Sequence, residues 1–319
     1  MLLSEALSEF LTACVSEGKA KSTVVWYRRR LGRLVSFLGD LDLERLSLSD
    51  LRLFLAYLRD GKRLSEYTFD GYVRAVRSFF RWLHKEGHMS TCIVSNLKRP
   101  RLPKLAPKAA SLSDIQALLR VAVEGRKSVL LAKRDLAIIM FLADTGCRVG
   151  GLVNLRLSDL DLEGRSALVT EKGSKSRYVF FSVQTQRALS DYLSVRARAC
   201  SPHPQGAEAS RAATEYVFVG ERGRLSVFGV NQMLSKLKRR AGVGGRVNPH
   251  SFRHFFAKNY LLNGGDLASL SDLMGHSDVV VTKSSYSIFL REELQRKHDA
   301  FAVFSVQSFC SQNTEKGVA

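Results

Sequence analysis

The chain has 319 residues, of which 45% are hydrophobic and 25% charged, the composition of a globular protein with about two domains. Its 49 lysine and arginine residues outnumber 30 acidic residues, and the formal net charge of +19 favours a polyanionic partner such as nucleic acid. The 5 cysteines include no C-x-x-C pair and no apolar run could span a membrane, which argues against a zinc site, a disulfide framework or a membrane protein.

Residues 1–97 are predicted to form a bundle of short helices. Glu5 and Glu9 interrupt the apolar residues at the start, so no signal peptide is predicted. Further along, apolar side chains recur at helical spacing from Ser22, at residues 49–61 and at residues 65–84. A stripe of arginines on one side of the last segment is either a solvated face or a track for DNA phosphates, and we predict the latter: Arg74, Arg77 and Arg81.

Residues 98–110 are predicted to be an extended linker between two domains. Prolines recur along this segment and prevent a helix, and its basic residues make it positively charged. A linker of this composition is able to wrap along a DNA duplex. The residues of the linker predicted to contact DNA are Lys98, Arg99, Arg101 and Lys104.

Residues 111–293 are predicted to combine helices with a small β-sheet. Ser113-Asp-Ile-Gln116 matches a capping box, and residues 134–145 form an apolar helix that Gly146 ends. The β-prone segments 167–170 and 178–181 flank Lys172-Gly-Ser-Lys-Ser and predict a hairpin. Other predicted elements are helices at residues 183–198, 229–240 and 267–274, helices around Arg253 and Tyr286, and a short strand at residues 216–219.

The stretch from residue 248 to residue 286 brings together side chains that suit chemistry on a phosphodiester. An arginine can fork two hydrogen bonds onto non-bridging phosphate oxygens, as Arg253 would. A histidine such as His250 or His276 can donate to the same oxygens or move a proton near pH 7. A tyrosine such as Tyr286 is a possible covalent nucleophile. Taken singly, each has a structural explanation; Arg148, for instance, could neutralise a helix C-terminus.

Taken in order, these motifs resemble those of the tyrosine recombinase family, which includes phage-type integrases and Xer-like recombinases. They are Thr145-Gly-Cys-Arg148, a hairpin lysine, His250-Ser-Phe-Arg253-His, Leu273-Met-Gly-His276 and Tyr286. The resemblance implies a mainly α fold with a small β-sheet, in which an N-terminal helical, SAM-like core-binding domain precedes a C-terminal α+β catalytic domain. The implied segments are residues 1–97, the linker 98–110, the catalytic domain 111–293 and a tail at 294–319 that subunits could exchange.

The resemblance also implies a role for each matched residue. Arg148 and Arg253 correspond to the two phosphate-clamping arginines, and Tyr286 corresponds to the nucleophile. The two histidines of the family motifs correspond to His250 and His276.

The hairpin lysine that protonates the leaving 5′ oxygen corresponds to Lys172, with Lys175 as the competing candidate. Lys175 and Arg177, both in the hairpin, are further predicted DNA contacts.

The chemistry that the resemblance implies is attack by a phenol on DNA. A phenol has an unperturbed pKa of about 10, so two neighbouring arginines are needed to favour the phenolate and stabilise the charge on phosphate. Attack gives a 3′-phosphotyrosyl link and a free 5′ hydroxyl, and the stored bond energy makes ATP, metal and other cofactors unnecessary. The implied enzyme is a site-specific DNA recombinase for integration, excision or resolution.

The resemblance implies specific partners and a location. The partners are double-stranded DNA with a specific site, three further copies of the chain in a synaptic tetramer, and accessory DNA-bending proteins. The expected location is the cytoplasm, at the nucleoid, without a membrane. Alternatives are a degenerate relative that binds DNA without cutting it, and a type IB topoisomerase-like enzyme.

Two departures from the family pattern favour the degenerate alternative. The residue three past Arg148 is often acidic in the family, and here it is Gly151, with Asp144 as a speculative substitute. Tyr286 also lies one residue further from His276 than the family spacing, and an insertion turns a helical side chain by about 100°.

Overall fold

The computed structural model describes residues 1–61, 64–103, 108–124, 128–171, 175–199, 215–220, 223–275, 280, 286, 295 and 298–299. The chain divides into two compact units, Met1–Leu105 and Ala106–Ala319. The point of division falls inside the predicted linker at 98–110, and the limits of the predicted domains remain predictions. No helix among the described residues combines the length and the apolar composition needed to cross a lipid bilayer.

The first unit is helical throughout its described part. Its helices are α1 (Leu3–Ser16), α2 (Lys21–Leu38), α3 (Leu48–Asp60) and α4 (Glu66–Lys85), with a 3-10 turn at Leu43–Arg45. The three predicted helices are confirmed as α2, α3 and α4, but Ser22, the predicted N-cap of the first, lies inside α2, whose N-cap is Ala20. Ser47 begins α3 with a capping box to Asp50, and Ser65 accepts from Thr68 N at the start of α4.

Helix α1 was not predicted, although its pattern is helical. Its buried side chains recur at three- and four-residue spacing and place Glu5 and Glu9 on the exposed face. The buried face is Leu3, Ala6, Leu7, Phe10, Leu11 and Cys14. Phe10 packs against Phe79 of α4 with ring centroids 5.3 Å apart, which joins α1 to the aromatic core of this unit.

The second unit surrounds one central helix with helices and a small sheet. Its described elements are α5 (Leu112–Val123), α6 (Val129–Thr145), α7 (Val149–Asn154), β1 (Leu160–Asp161), β2 (Ser166–Thr170), β3 (Ser176–Phe180), α8 (Val183–Ala199), β4 (Val219–Gly220), β5 (Gly223–Arg224), α9 (Val227–Arg240), α10 (Pro249–Leu262) and α11 (Leu267–Met274). Helix α6 contacts α5, α8 and α10, and its buried residues include Ile138, Phe141 and Leu142.

Several predicted elements of this unit are confirmed with shifted ends. The capping box of α5 is formed by Ser111 and Asp114, so the predicted box at Ser113 is wrong. The N-cap serine is the one whose side chain accepts the Asp114 N–H, and Ser111 and Ser113 cannot be told apart by residue type alone. Helix α6 begins at Val129, ahead of the predicted start, because Ser128 caps it.

The sheet has the order β1-β2-β3, with both neighbouring pairs antiparallel. Leu168 lies opposite Tyr178, which confirms the predicted hairpin strands, while Lys172 lies outside the described residues. Ala167 and Val169 of β2 and Val179 of β3 face the core. Because side chains alternate along a strand, the neighbouring positions face away from that core. Because β2 ends at Thr170, the pairing of the sheet determines the position of Glu171, the next residue.

Candidate active site

Helix α10 begins at a point that places one candidate residue on the surface and the next in the interior. Asn248 caps the helix, its side chain accepting from Ser251 N at 2.9 Å, and proline follows at the first helical position. His250 is exposed in the first turn, whereas Arg253, three residues further along, is buried.

The Arg253 guanidinium connects the C-terminal ends of two helices. Its Nη1 donates to Gly146 O at 2.8 Å, at the end of α6, and its Nη2 donates to Met274 O, at the end of α11. Cations are favourable at helix C-termini, where carbonyl groups lack helical partners. Gly146 has a left-handed φ of 57°, and a Cβ there would lie 2.6 Å from Phe256 Cδ1. Only glycine therefore allows α6 to end this close to α10.

Arg148 lies two residues beyond that glycine and is held by Glu171. Its backbone N–H donates to Glu171 Oε1 at 2.8 Å, and its guanidinium Nη1 donates to Glu171 Oε2. The Arg148 side chain is 35% exposed, whereas that of Glu171 is only 3% exposed. One carboxylate thus fixes both the backbone and the side chain of Arg148.

Two further arginines approach the same carboxylate. Arg177 Nη2 lies 3.2 Å from Glu171 Oε1, and Arg253 Nη1 lies 4.0 Å from that oxygen. Arg177 also donates through Nη1 to Leu273 O. Three guanidinium groups around one carboxylate leave an excess of positive charge, which suits an anionic ligand such as a phosphodiester.

The ionisation of these groups follows from their surroundings. Burial works to raise the pKa of Glu171, but the Arg148 N–H and the charges of Arg177, Arg148 and Arg253 together hold it below its usual value. Burial, reinforced by the charge of Arg148, lowers the pKa of Arg253 to about 10, so it remains protonated at neutral pH. Burial and the charges of Arg253 and Arg148 lower the pKa of His250, which favours its neutral form.

Tyr286 is buried, with 2% exposure, in an apolar cluster that includes Ala257, Leu270 and Met274. Its hydroxyl lies 2.9 Å from His254 Nδ1, with the two rings edge to face. Burial raises the pKa of Tyr286 to about 12, and the charges of Arg253 and Arg148 act in the opposite direction. The phenol is therefore neutral in this structure.

Two residues of this site were not assigned roles from the sequence. His254 directly follows Arg253 in a motif already identified, so its position was a usable signal. Glu171 carried no such signal, because its contacts with Arg148 and Arg253 depend on how β2, α7 and α10 meet. The speculative substitute Asp144 accepts instead from Ser182 N and Thr185 Oγ1 at the start of α8.

The remaining predicted site residues have varied surroundings. Lys104, Lys172 and His276 lie outside the described residues, as does the segment that would contain the extra residue before Tyr286. The predicted DNA contacts that lie at exposed positions are Arg74, Arg81, Lys98, Arg101 and Lys175. DNA binding by these five residues stays a prediction. No cluster of His, Cys, Asp and Glu side chains in the described part of the chain could hold a metal ion.

Two of the predicted DNA contacts in the first unit make intramolecular bonds. Arg77 donates to Leu97 O. Arg99 donates through Nε and Nη2 to both carboxylate oxygens of Asp70, at 2.8 and 2.9 Å. These bonds connect the end of this unit to α4, and DNA binding by either residue stays a prediction.

His254 should make the stability of the protein depend on pH. Burial, with the charges of His250 and Arg253, lowers its pKa in the folded state, so protons bind the unfolded chain preferentially. We expect the free energy of unfolding to fall as the pH drops below about 6.5, and to fall less steeply in His254→Gln. Denaturant unfolding at a series of pH values measures this. His84→Gln, at an exposed histidine on α4, is the matched control, and an equal slope in all three proteins would contradict the expectation.

Comparison with known proteins gives two family matches and many relatives. The phage integrase family matches residues 111–289, and the phage integrase N-terminal SAM-like domain matches residues 7–88. Tyrosine recombinase XerC of Oceanobacillus iheyensis is 30% identical over 291 residues, 89% of this chain and 92% of that protein. Tyrosine recombinase XerD of Listeria monocytogenes serotype 4b is 30% identical over 288 residues, 88% and 93% of the two chains. A lambda integrase tetramer bound to a Holliday junction has a similar fold, with a TM-score of 0.68, 17% identity and coverage of 91% and 77%.

Proposed function

Because the chain belongs to the phage integrase family and is a site-specific tyrosine recombinase, we propose that it cleaves and rejoins DNA through a covalent link to Tyr286. The observation that carries this proposal is the convergence of Arg148 and Arg253 on one buried carboxylate, close enough for both charges to act on the pKa of Tyr286. In this proposal the two arginines bind the non-bridging oxygens of the scissile phosphate.

The proposed reaction is a transesterification, in which one P–O ester bond is exchanged for another. Tyr286 Oη loses its proton to solvent as it attacks the phosphorus, so the O–H bond and the bond to the 5′ oxygen break while a P–O bond to tyrosine forms. Lys172 supplies the proton to the leaving 5′ oxygen, with Lys175 as the competing donor, while His250 and His276 contact the phosphate. Attack by a 5′ hydroxyl of another strand then reverses these steps and frees the tyrosine.

The buried state of Tyr286 adds a requirement to this mechanism. With 2% exposure and a hydrogen bond to His254, the hydroxyl is neutral and enclosed in the free protein. DNA binding must therefore bring Oη to the phosphate before cleavage begins. Such an arrangement keeps the nucleophile inactive until the two arginines have a phosphate between them.

The partners that we propose are double-stranded DNA with a specific site and further copies of this chain. The lambda integrase structure is a tetramer on a Holliday junction, and we propose the same assembly here, with residues 294–319 as the exchanged segment and accessory DNA-bending proteins as additional partners. We propose the cytoplasm, at the nucleoid, as the location, because the proposed substrate is DNA.

The test is covalent capture in host cells. The wild-type protein is expressed, the cells are lysed in SDS, and DNA still attached to the protein is recovered and sequenced. We expect attachment at a recurring sequence, with a free 5′ hydroxyl at the break. DNA binding under native conditions without any covalent attachment would support a binding-only relative. Attachment at unrelated sequences, with relaxation of a plasmid that carries no site pair, would support a topoisomerase-like enzyme.

A further inference from the structure

The buried carboxylate of Glu171 is the one acidic group that contacts the arginines of the active site among the residues that the structure describes. We propose that Glu171 is a positioning residue, which fixes Arg148 for phosphate binding, balances the neighbouring charge of Arg253 and replaces the carboxylate that is absent at position 151. This inference rests on the proposed function, because it assigns Glu171 a part in the same reaction.

The first argument is the way in which Arg148 is held. Glu171 Oε1 accepts the backbone N–H of Arg148 at 2.8 Å, and Oε2 accepts from the guanidinium Nη1. Arg148 precedes α7, where a backbone N–H lacks a helical partner and a negative charge is favourable. A guanidinium carries five N–H donors, so one bond to Glu171 leaves the other donors of Arg148 for a phosphate.

The second argument is the charge balance among the arginines. Arg253 lies with its Nη1 4.0 Å from Glu171 Oε1, and its side chain is only 6% exposed, so water screens it poorly. Arg177 contacts the same oxygen at 3.2 Å. Without the carboxylate, the three like charges would repel one another, and the partly exposed Arg148 would be the one free to turn away. The negative charge of Glu171 therefore keeps Arg148 close to Arg253 and Arg177.

The third argument connects Glu171 to Gly151. A Cβ on Gly151 would lie 3.2 Å from Val169 Cβ and 3.4 Å from Glu171 Cγ, so the Glu171 side chain covers the position where a side chain at 151 would begin. Gly151 lies within α7 and is not among the glycines with positive φ, so its backbone does not require glycine. A side chain at 151 would therefore be crowded by Val169 and Glu171 rather than strained in its backbone. A carboxylate at position 151 would thus compete with that of Glu171 for the same space beside Arg148.

The test exchanges the two positions. The variants are Glu171→Gln, Glu171→Gly, Gly151→Glu and the double variant Gly151→Glu/Glu171→Gly, with Glu163→Gln at an exposed glutamate as the control. The measurements are the single-turnover rate of covalent-adduct formation at saturating DNA, using the sequence recovered by covalent capture, and the Kd for that DNA. Thermal unfolding of each variant shows whether it folds.

We expect Glu171→Gln to slow adduct formation about 10-fold to 100-fold, by analogy with the loss of groups that orient metal-binding side chains in enzymes. Its Kd should be unchanged or lower, because a negative charge beside the phosphate is removed. A purely structural role would instead weaken DNA binding and stability together. Gly151→Glu alone should also be slow, because two side chains then compete for one space, whereas the double variant should be faster than either of its single variants.

Two results would overturn the inference while leaving the proposed function intact. One is a Glu171→Gln rate equal to that of the wild type and of Glu163→Gln. The other is a double variant no faster than Glu171→Gly. If the wild type itself forms no covalent adduct, the proposed function fails and the role of Glu171 fails with it. These outcomes are distinguishable because the wild-type adduct is measured in the same experiment.

Discussion

Tyr286→Phe should bind DNA with wild-type affinity and form no covalent adduct. The substitution removes only the hydroxyl and keeps the ring in its cluster with Ala257, Leu270 and Met274. Loss of a nucleophile should lower the rate of adduct formation by at least about 10⁴-fold. Folding should survive, because the lost hydrogen bond to His254 is worth only about 1 kcal/mol. Gel electrophoresis of the SDS-denatured protein–DNA mixture measures the adduct, and a gel-shift titration measures affinity.

Tyr260→Phe is the matched control for this variant. Tyr260 packs against the same apolar cluster and lies on α10, but no hydrogen bond of its hydroxyl to His254 is observed. It should form the adduct at the wild-type rate. If Tyr286→Phe retained the wild-type yield of adduct while Tyr260→Phe lost it, the nucleophile would be Tyr260 and the assignment of Tyr286 would be wrong.

The second large effect is expected for Arg148→Ala. In the proposed mechanism this arginine gives its remaining donors to the phosphate, and removing one preorganised donor of this kind costs about 10²-fold to 10³-fold in rate. The side chain is 35% exposed and Glu171 keeps its contact with Arg177, so the protein should still fold. Arg253→Ala is a poorer test, because it also removes the bonds to Gly146 and Met274.

Arg187→Ala supplies the control for charge. Arg187 is exposed on α8, so both variants lose the same single positive charge and should lose similar long-range attraction to DNA. The single-turnover rate at saturating DNA then isolates the local effect. If Arg148→Ala and Arg187→Ala reacted equally fast, Arg148 would serve only as a partner for Glu171, and the phosphate would be bound by other residues.

The helices of this protein could be predicted because their signals are local. Apolar spacing, Ser65 before α4 and Gly146 after α6 each act within a few residues. The failures were also local in origin. Acidic residues on the exposed face of α1 obscured a regular buried stripe, and two nearby serines left the start of α5 ambiguous.

The candidate active site could be predicted only where a motif is contiguous. Arg253 and His250 lie within one helical turn of each other, and the charges of Arg253 and Arg148 both lower the pKa of His250. Glu171 could not be found in this way, because the approach of β2 to α7 brings it to Arg148 from far along the chain. The missing carboxylate at Gly151 is visible in the sequence, but the Glu171 side chain, which would lie 3.4 Å from a Cβ at that position, follows β2 and gives no sign of this contact in the sequence.

The two bonds of Arg253 to helix ends have an evolutionary consequence. A side chain that joins α6 to α11 supports folding, and in the proposed mechanism it also binds the phosphate. Tyr286 and Arg148 are less constrained, since a phenylalanine fills the same volume as the tyrosine and Arg148 is partly exposed. A lineage descended from this protein that abandoned catalysis would thus lose the tyrosine and the first arginine early. It would retain Arg253 as a remnant long after the activity had disappeared.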